Sequence, residues 1–303
     1  MEKINGFISA PFTPMHKDGS VNLDAIPDYT DYYVRNGVNG AFICGTSGEG
    51  FLLTLDERKK VAEKWVKASP DDFKNIIHVG GPTVNESREL VKHAAEIGAW
   101  GVGTMAPVFF KPSRVQELVD YCAALASASP DLPFYFYHMP GYTGVYLSMV
   151  EFLEQAYEKI PNLAGIKYTH EDLYEFNQCM LLRNGYYDLL HGRDETLLAG
   201  LALGATGGVG GTYNHAMGIY IDMKEAFLKG DLETARSLQA KSHAVINILI
   251  RYRGNVIAGK RIMKFLGQDC GPNRVPIQNI SDEEEQSLKS ELEDIDFFGF
   301  CNK

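Results

Sequence analysis

The chain has 303 residues, of which 45% are hydrophobic and 22% charged, and its formal net charge is −10. This acidic balance argues against a protein that binds nucleic acid or a membrane surface, because such proteins carry a basic face. The apolar content supports a folded core, and the length suits a single α/β barrel. Five widely spaced cysteines, with no CxxC pair, predict reduced thiols and a cytoplasmic location.

Short apolar runs alternate with helical patterns along most of the chain. The predicted strands cover residues 4–10, 40–45, 75–80, 101–106, 133–138, 163–168, 187–192 and 205–211. Among the helix signals, Asn22 is a candidate N-cap, Thr54 and Glu57 have the spacing of a capping box, and Gly98 is a helix stop. Eight strand–helix units in one chain predict an α/β fold of the (β/α)₈ TIM-barrel type.

The alternation ends near Ala216, and the remaining helical patterns cover 216–229, 231–252, 255–265 and 282–293. We interpret them as the last barrel helix and a C-terminal helical extension. This predicts a barrel over 1–230 and an extension over 231–303 that packs on it as one structural unit. The uncharged stretch 196–221 is interrupted by the glycines of GATGGVGG, so we expect no membrane span there.

Polar segments are predicted to follow the strands at one end of this barrel. They are GTSGEG after strand two, YHMPG after strand five, IKYT at strand six, GRDE after strand seven and GGTYN after strand eight. The carboxyl ends of barrel strands carry the chemistry of this fold class. We therefore expect these five segments to converge on one site.

Lys167 ends the apolar run LAGI, where no acidic residue accompanies it. A buried ammonium is costly unless it is paired or loses its proton. One interpretation is a rim lysine that extends its ammonium to water. The other is a Schiff-base nucleophile, whose desolvated amine is partly neutral and attacks a ketone to form an imine that accepts electrons. The rival lysine, Lys111, is predicted to be exposed.

Tyr135 and Tyr137 alternate with phenylalanine in FYFYH and therefore share one face of their strand. Core tyrosines are common, so both belong to the core in the simpler interpretation. In the functional interpretation Tyr137 shuttles a proton near a carbonyl or an aldol oxygen. It reaches Lys167 if the two strands are neighbours, ~5 Å apart.

Two further segments have both a structural and a functional interpretation. Thr46 and Ser47 in GTSGEG either belong to a simple turn or offer donors to a carboxylate; the segment lacks the lysine of a phosphate loop. Asp194 and Glu195 in GRDE either cap the following helix or bind polyol hydroxyls. Adjacent carboxylates do not suit a glycosidase, and no histidine lies at metal-ligand spacing.

Taken together, GTSGEG, YHMPGYTG and GIKYT occur in the order and spacing of one family of class I aldolases, which includes dihydrodipicolinate synthases and N-acetylneuraminate lyases. The chain resembles this family over about residues 4–270, and its VGGTYN, GRDE and HVGGPTVNES segments are most similar to the lyase branch. The resemblance implies cleavage of N-acetylneuraminate, a sialic acid, to N-acetylmannosamine and pyruvate. It implies no cofactor and no metal, because the lysine imine supplies the electron sink, and commonly a homotetramer.

The resemblance also implies roles for individual residues. Lys167 forms the imine with the substrate ketone, and Tyr137 manages the proton at the aldol oxygen. The substrate carboxylate is held by Thr46 and Ser47. The residues implied to face the sugar chain are Thr169, Gly192, Asp194 and Glu195.

Two positions bear on the choice within the family. Tyr142 stands where the synthases usually carry an arginine, and a neutral side chain cannot grip a second carboxylate bidentately. Gly211 stands where the lyases usually carry a serine that binds a sugar hydroxyl, a donor worth ~1 kcal/mol. Gly211 keeps open an aldolase for another 2-keto-3-deoxy sugar acid. A non-catalytic ligand-binding barrel is a third alternative, although it would not need both Lys167 and Tyr137.

Overall fold

The computed structural model describes residues 3–302. Within this range eight parallel strands close into a barrel, each strand pairing with the next and the last with the first. The (β/α)₈ barrel predicted from the alternation is thereby confirmed. The strands are β1 (Gly6–Ser9), β2 (Gly40–Ile43), β3 (Lys74–His78), β4 (Gly101–Met105), β5 (Phe134–His138), β6 (Leu163–Tyr168), β7 (Asp188–His191) and β8 (Gly207–Gly210).

Helices surround the barrel and continue beyond it. The α-helices are α1 (Ile26–Arg35), α2 (Leu55–Ala68), α3 (Val84–Glu96), α4 (Val115–Ala126), α5 (Pro140–Thr143), α6 (Met149–Lys159), α7 (Leu173–Leu181), α8 (Leu197–Ala202), α9 (Met217–Leu228), α10 (Leu232–Arg251), α11 (Lys260–Phe265), α12 (Asp282–Asp294) and α13 (Phe297–Phe300). Short 3₁₀ helices cover Leu23–Ala25, Gly50–Leu52, Leu182–Asn184, Asp194–Thr196 and Thr212–Asn214, and a π-helix covers Asn255–Gly259. Within residues 3–302 we find no helix with both the length and the hydropathy that crossing a bilayer requires.

The helix signals in the sequence have different outcomes. Thr54 and Glu57 form the predicted capping box, with bonds of 3.2 and 2.9 Å between each side chain and the other residue's backbone N–H. Gly98 follows α3 in the left-handed region, as a helix stop should. The prediction for Asn22 is wrong, because its side chain caps nothing. A 3₁₀ turn delays α1 to Ile26, and Pro27 in its first turn has no N–H to be capped.

The register of β6 against β5 fixes which side chains share a face. Phe134 pairs with Leu163 but Tyr135 pairs with Gly165, so β6 carries one extra residue at this point. Beyond the irregularity Tyr137 pairs with Lys167. Side chains of paired residues in neighbouring strands point to the same side of the sheet. The extra residue therefore sets Lys167 on the same face as Tyr137.

The barrel encloses a small apolar core of its own, separate from the larger layer between the strands and the helices. Tyr135 and Tyr137 both belong to this interior core, as their alternation predicted. The interior residues are Ile4, Ile8, Phe42, Ile76, Met105, Tyr135, Tyr137, Ala164, Leu190 and Val209. Side chains fill this interior, so we expect the site of the barrel at its mouth.

The C-terminal helices pack on the barrel. Helix α10 lies along α9 and contacts α8 and the 3₁₀ helix at Asp194–Thr196. It begins at Leu232, next to the predicted end of the barrel at residue 230. The division into a barrel over 1–230 and an extension over 231–303 stays a prediction.

Candidate active site

A cavity of about 230 Å³ lies at the carboxyl ends of the strands. It brings together every residue that the sequence singled out for the site. Those residues are Thr46, Ser47, Tyr137, Lys167, Thr169, Gly192, Asp194, Glu195 and Gly211. The five polar segments thus converge as expected, and the role of each residue stays a prediction.

Lys167 is buried, with 5% of its surface exposed. Its Nζ lies 3.9 Å from the ring centre of Tyr137 and 4.5 Å from that of Phe42. No carboxylate among residues 3–302 forms an ion pair with it. Burial therefore lowers the pKa of Lys167 to about 7, although the negative charge of Asp194 acts in the opposite direction. A large fraction of this amine is neutral and nucleophilic at neutral pH, whereas the rival Lys111 is exposed.

Tyr137 keeps its proton at neutral pH. Burial raises the pKa of its phenol to about 12, and the neighbouring hydroxyls of Thr46 and Thr169 partly offset this increase. Tyr135, two residues earlier on the same face, donates a 2.8 Å hydrogen bond to Oδ2 of Asp188. The two tyrosines of FYFYH therefore differ: Tyr135 is part of the packed interior, and Tyr137 lines the cavity.

The GTSGEG turn presents Thr46 and Ser47 to the cavity on a tightly folded backbone. Cys44 and Glu49 bracket the turn in the left-handed region, with φ values of 57° and 54°. A side chain at Gly50 would overlap the backbone of Cys44, so the turn requires glycine there. This backbone holds the two hydroxyl residues in one fixed position on the cavity wall.

The side chain of Glu49, in the same turn, points away from the cavity and is bound by residues of the C-terminal extension. Its carboxylate accepts hydrogen bonds from Nζ of Lys260 at 2.8 Å, from Nδ2 of Asn273 at 3.0 Å and from the backbone N–H of Arg274 at 2.8 Å. Sequence reasoning missed this cluster, because Glu49 and Lys260 lie 211 positions apart and no local pattern joins them. The C-terminal extension therefore fastens the turn that carries Thr46 and Ser47.

Asp194 does not act as a helix N-cap, and that structural interpretation of GRDE is wrong. It is the first residue of a 3₁₀ helix, and its Oδ2 accepts from the backbone N–H and the Oγ1 of Thr212 at 2.8 and 2.6 Å. Burial raises the pKa of Asp194 to about 6, against the effect of the Thr212 bonds. Glu195 lies at the cavity in an ion pair of 2.7 Å with Arg193.

Thr169 has a hydroxyl that no residue between 3 and 302 binds. A side chain at Gly192 would overlap this hydroxyl, so the glycine makes room for it. The Gly192 N–H donates a 2.8 Å bond to the carbonyl of Tyr168, which fixes the two loops together. The two loops thereby hold Thr169 in the cavity wall, beside the phenol of Tyr137.

The C-terminal extension supplies one wall of the cavity, which sequence reasoning did not anticipate. Ile246, Leu249 and Ile250 of α10 line it, and so do Asn255 and Val256 of the π-helix. The apolar run INILI near the end of α10 was the available signal. This wall faces the 3₁₀ helix and loop that follow β7 and β8.

The site offers nucleophilic and acid–base chemistry. A partly neutral amine and a protonated phenol lie together, and hydroxyl and carboxylate groups surround them. Between residues 3 and 302 no three His, Cys, Asp or Glu side chains are grouped so as to hold a metal ion, and all five cysteines are free and buried. An amine in this setting can form an imine with a ketone.

Comparisons with known proteins agree with this geometry. Residues 3–295 match the dihydrodipicolinate synthetase family. The N-acetylneuraminate lyase of Mus musculus is 41% identical over 300 residues, which cover 98% of this chain and 94% of that protein. The solved N-acetylneuraminate lyase of Proteus mirabilis has a TM-score of 0.95 and 39% identity, covering 98% of this chain and 100% of that one. A dihydrodipicolinate synthase from Aquifex aeolicus has a TM-score of 0.89 and 27% identity, covering 99% and 100%.

Proposed function

The chain belongs to the dihydrodipicolinate synthetase family, and on that premise we propose that it is a carbon–carbon lyase that cleaves N-acetylneuraminate to N-acetylmannosamine and pyruvate. One observation carries the proposal: Lys167 is a buried amine that no carboxylate among the described residues pairs with, and it stacks on Tyr137 at the barrel mouth. The identity to lyases, at about 40%, supports this substrate over that of the synthases.

The reaction begins at Lys167. Its neutral amine attacks the C2 ketone of the open-chain sugar acid, water leaves, and a protonated imine forms. The C3–C4 bond then breaks, its electron pair moves into the imine, and the C4 hydroxyl becomes the aldehyde of N-acetylmannosamine. The resulting enamine takes a proton at C3, and water releases pyruvate and the free amine.

Tyr137 handles the proton that leaves the C4 hydroxyl. Its phenol is protonated at neutral pH, because burial raises its pKa to about 12. It therefore accepts the hydroxyl proton only as it passes its own to a second base. The substrate carboxylate, bound at Thr46 and Ser47 on the same wall, is our candidate for that base.

The remaining polar groups suit a polyol chain. Thr169 has a hydroxyl without a hydrogen-bond partner among residues 3–302, and Glu195 lines the cavity. Asp194 and the backbone at Gly192 belong to the same wall. We assign these groups to the sugar hydroxyls, which both donate and accept hydrogen bonds.

A second candidate is an aldolase for another 2-keto-3-deoxy sugar acid. Gly211 favours it, since this position offers no side-chain donor to the sugar. The imine chemistry is the same in both candidates, so only the sugar distinguishes them. Synthase chemistry is disfavoured because Tyr142, which is 72% exposed at the cavity, has no charge to grip a second carboxylate.

Borohydride reduction in the presence of pyruvate, followed by peptide mass spectrometry, tests the mechanism. We expect one pyruvyl label on Lys167, and an unchanged label in the control Lys111→Gln. A label on another lysine, or none, refutes imine formation at Lys167. Incubation with N-acetylneuraminate tests the substrate: without release of N-acetylmannosamine, the second candidate takes precedence.

We also propose a homotetramer that works in the cytoplasm in carbohydrate metabolism, with a sugar acid and pyruvate as its partners and neither nucleic acid nor a membrane among them. The buried free thiols support the location. Phe109 and Phe110 support self-association, because they are 83% and 86% exposed in the single chain. Light scattering on a sizing column tests the assembly, and a monomer at micromolar concentration contradicts it.

A further inference from the structure

Asn255 is a polar residue of the cavity wall to which the proposed function gives no role. It opens the π-helix Asn255–Gly259, and its Oδ1 lies 2.9 Å from Nε2 of His215. Its amide nitrogen Nδ2 is shielded from bulk solvent and has no hydrogen-bond partner among residues 3–302. A buried donor without a partner costs free energy until a ligand or a water satisfies it.

The amide of Asn255 is oriented with its oxygen toward the ring of His215. Burial lowers the pKa of His215 to about 4, so its ring is neutral at physiological pH. In the structure the oxygen of Asn255 faces Nε2 of this ring, which matches the tautomer that donates from Nε2 and turns the NH₂ group away. A side chain at Gly259 would overlap that oxygen, so the glycine one turn later leaves room for this orientation.

The NH₂ group lies where a side chain at position 211 would begin. A Cβ added to Gly211 would be 2.6 Å from Nδ2 of Asn255 and 3.4 Å from Oγ of Ser47. A side chain at 211 and this orientation of Asn255 therefore exclude each other. The amide takes the place of the missing side chain and brings a donor to the same part of the cavity.

We propose that Asn255 determines substrate specificity: its Nδ2 donates a hydrogen bond to a hydroxyl of the polyol chain of the substrate, beside Gly211. His215 is a positioning residue that acts through Asn255. The assignment of the ligand as a 2-keto sugar acid rests on the proposed function. A hydroxyl is the matching group, because it accepts from the amide and donates to a neighbouring oxygen such as that of Ser47.

The test compares two substrates that share the keto-acid head. N-acetylneuraminate carries the polyol chain, and 4-hydroxy-2-oxopentanoate, the aldol of pyruvate with acetaldehyde, does not. For Asn255→Ala we expect KM for N-acetylneuraminate to rise about 3- to 10-fold, the loss of one hydrogen bond. Turnover of the short substrate and labelling of Lys167 by pyruvate should not change. The control is Asn22→Ala, which removes an amide that caps nothing.

An equal loss of activity on both substrates, or an unchanged KM for N-acetylneuraminate, overturns the inference. Failure of the proposed function is distinguishable, because it shows in the wild-type protein as no release of N-acetylmannosamine. If another 2-keto-3-deoxy sugar acid is cleaved instead, the same ratio measured on that acid decides the role of Asn255.

A swap of the two side chains provides a second test. Gly211→Ser alone should impair the long substrate, because its Cβ displaces the amide of Asn255. The double variant Gly211→Ser/Asn255→Ala restores a donor, and we expect it to recover most of the KM lost in Asn255→Ala. If the KM increases of the two single variants simply multiply in the double variant, the exchange of roles is refuted. Thermal melting of each variant separates misfolding from lost recognition.

Discussion

Two lysines are buried among residues 3–302, and their surroundings differ. Lys167 is 5% exposed and Lys260 is 2% exposed. Lys260 donates to Glu49 at 2.8 Å and to the carbonyl of Pro272 at 2.7 Å, whereas Lys167 lies over aromatic rings and has no ionic partner in the described part of the chain. Burial lowers the pKa of both, but beside Lys260 the Glu49 carboxylate counteracts it. Burial alone therefore does not make a lysine reactive; burial without a paired carboxylate favours the neutral amine.

The GTSGEG turn also links the two lysines. Glu49, the partner of Lys260, closes the GTSGEG turn that presents Thr46 and Ser47 to the cavity of Lys167. The paired lysine thus holds in place part of the site in which the unpaired one works. Substitutions can separate the two roles. Replacing Lys167 should affect the chemistry, and replacing Lys260 should affect the stability of the fold.

The largest effect is expected from Lys167→Met. Loss of the nucleophile should lower kcat by at least about 10³-fold and abolish pyruvate labelling. The fold should melt at the same or a higher temperature, because a costly buried amine is replaced by an apolar side chain of similar length. Activity assays and calorimetry check this. A large loss of stability would mean that Lys167 has a structural role like that of Lys260.

Lys260→Met should give the opposite result. It leaves the Glu49 carboxylate buried without its ionic partner, which typically costs about 3–5 kcal/mol of unfolding free energy. Denaturant unfolding measures this loss. The matched control on the same helix is Lys264→Met: its ion pair with Glu285 is partly exposed, so about 1 kcal/mol or less is expected. Equal losses in the two variants contradict the comparison.

Tyr137→Phe tests the chemistry of the ring beneath Lys167. The ring remains, so labelling with pyruvate should persist, while cleavage should slow by about 10²–10³-fold because the proton carrier is lost. Tyr135→Phe is the matched control, since it removes the phenol that donates to Asp188 and keeps the ring. It should cost about 1 kcal/mol of stability and leave kcat unchanged. Single-turnover kinetics separate imine formation from cleavage.

The smallest effects concern pH. With a pKa of about 7, the neutral fraction of Lys167 falls tenfold for each pH unit below that value, and the rate of pyruvate labelling should follow. Between pH 7 and the ordinary lysine pKa near 10.5, the unfolded chain binds this proton and the folded chain does not. The stability of the wild type relative to Lys167→Met should therefore rise with pH in that window. If the difference in unfolding free energy between the wild type and Lys167→Met does not change with pH, the pKa of Lys167 is not lowered.

Sequence patterns predicted the barrel well because its signals are local. Alternating strands and helices need only neighbouring residues to be recognised, and even the glycine-rich β8 followed from its place in the alternation. The predicted site residues meet because strand ends converge in any closed barrel. Lys167 faces the cavity with Tyr137 only after the extra residue in β6, which the sequence did not indicate.

The rest depends on contacts between distant segments. Asp194 was assigned a possible capping role from its neighbours, but its carboxylate crosses to Thr212 on the loop after β8. Lys260 and Asn255 come from the C-terminal extension, whose packing no local period reveals. Contacts between segments far apart in the chain decide where these groups lie, and a single sequence contains no direct signal for such contacts.

The wall that α10 and the π-helix add to the cavity has a consequence for how the protein can change. Tyr137 and Lys167, to which we assign the cleavage chemistry, come from β5 and β6, whereas Ile246, Ile250 and Asn255 are encoded about 80 or more codons downstream of Lys167. Exchange of the segment that carries these three residues, which ends before Lys260, would alter the sugars admitted and leave Lys167, Tyr137 and the Lys260–Glu49 pair in place. Recombination, and not only point substitution, is thus a direct route to new substrate ranges on this scaffold.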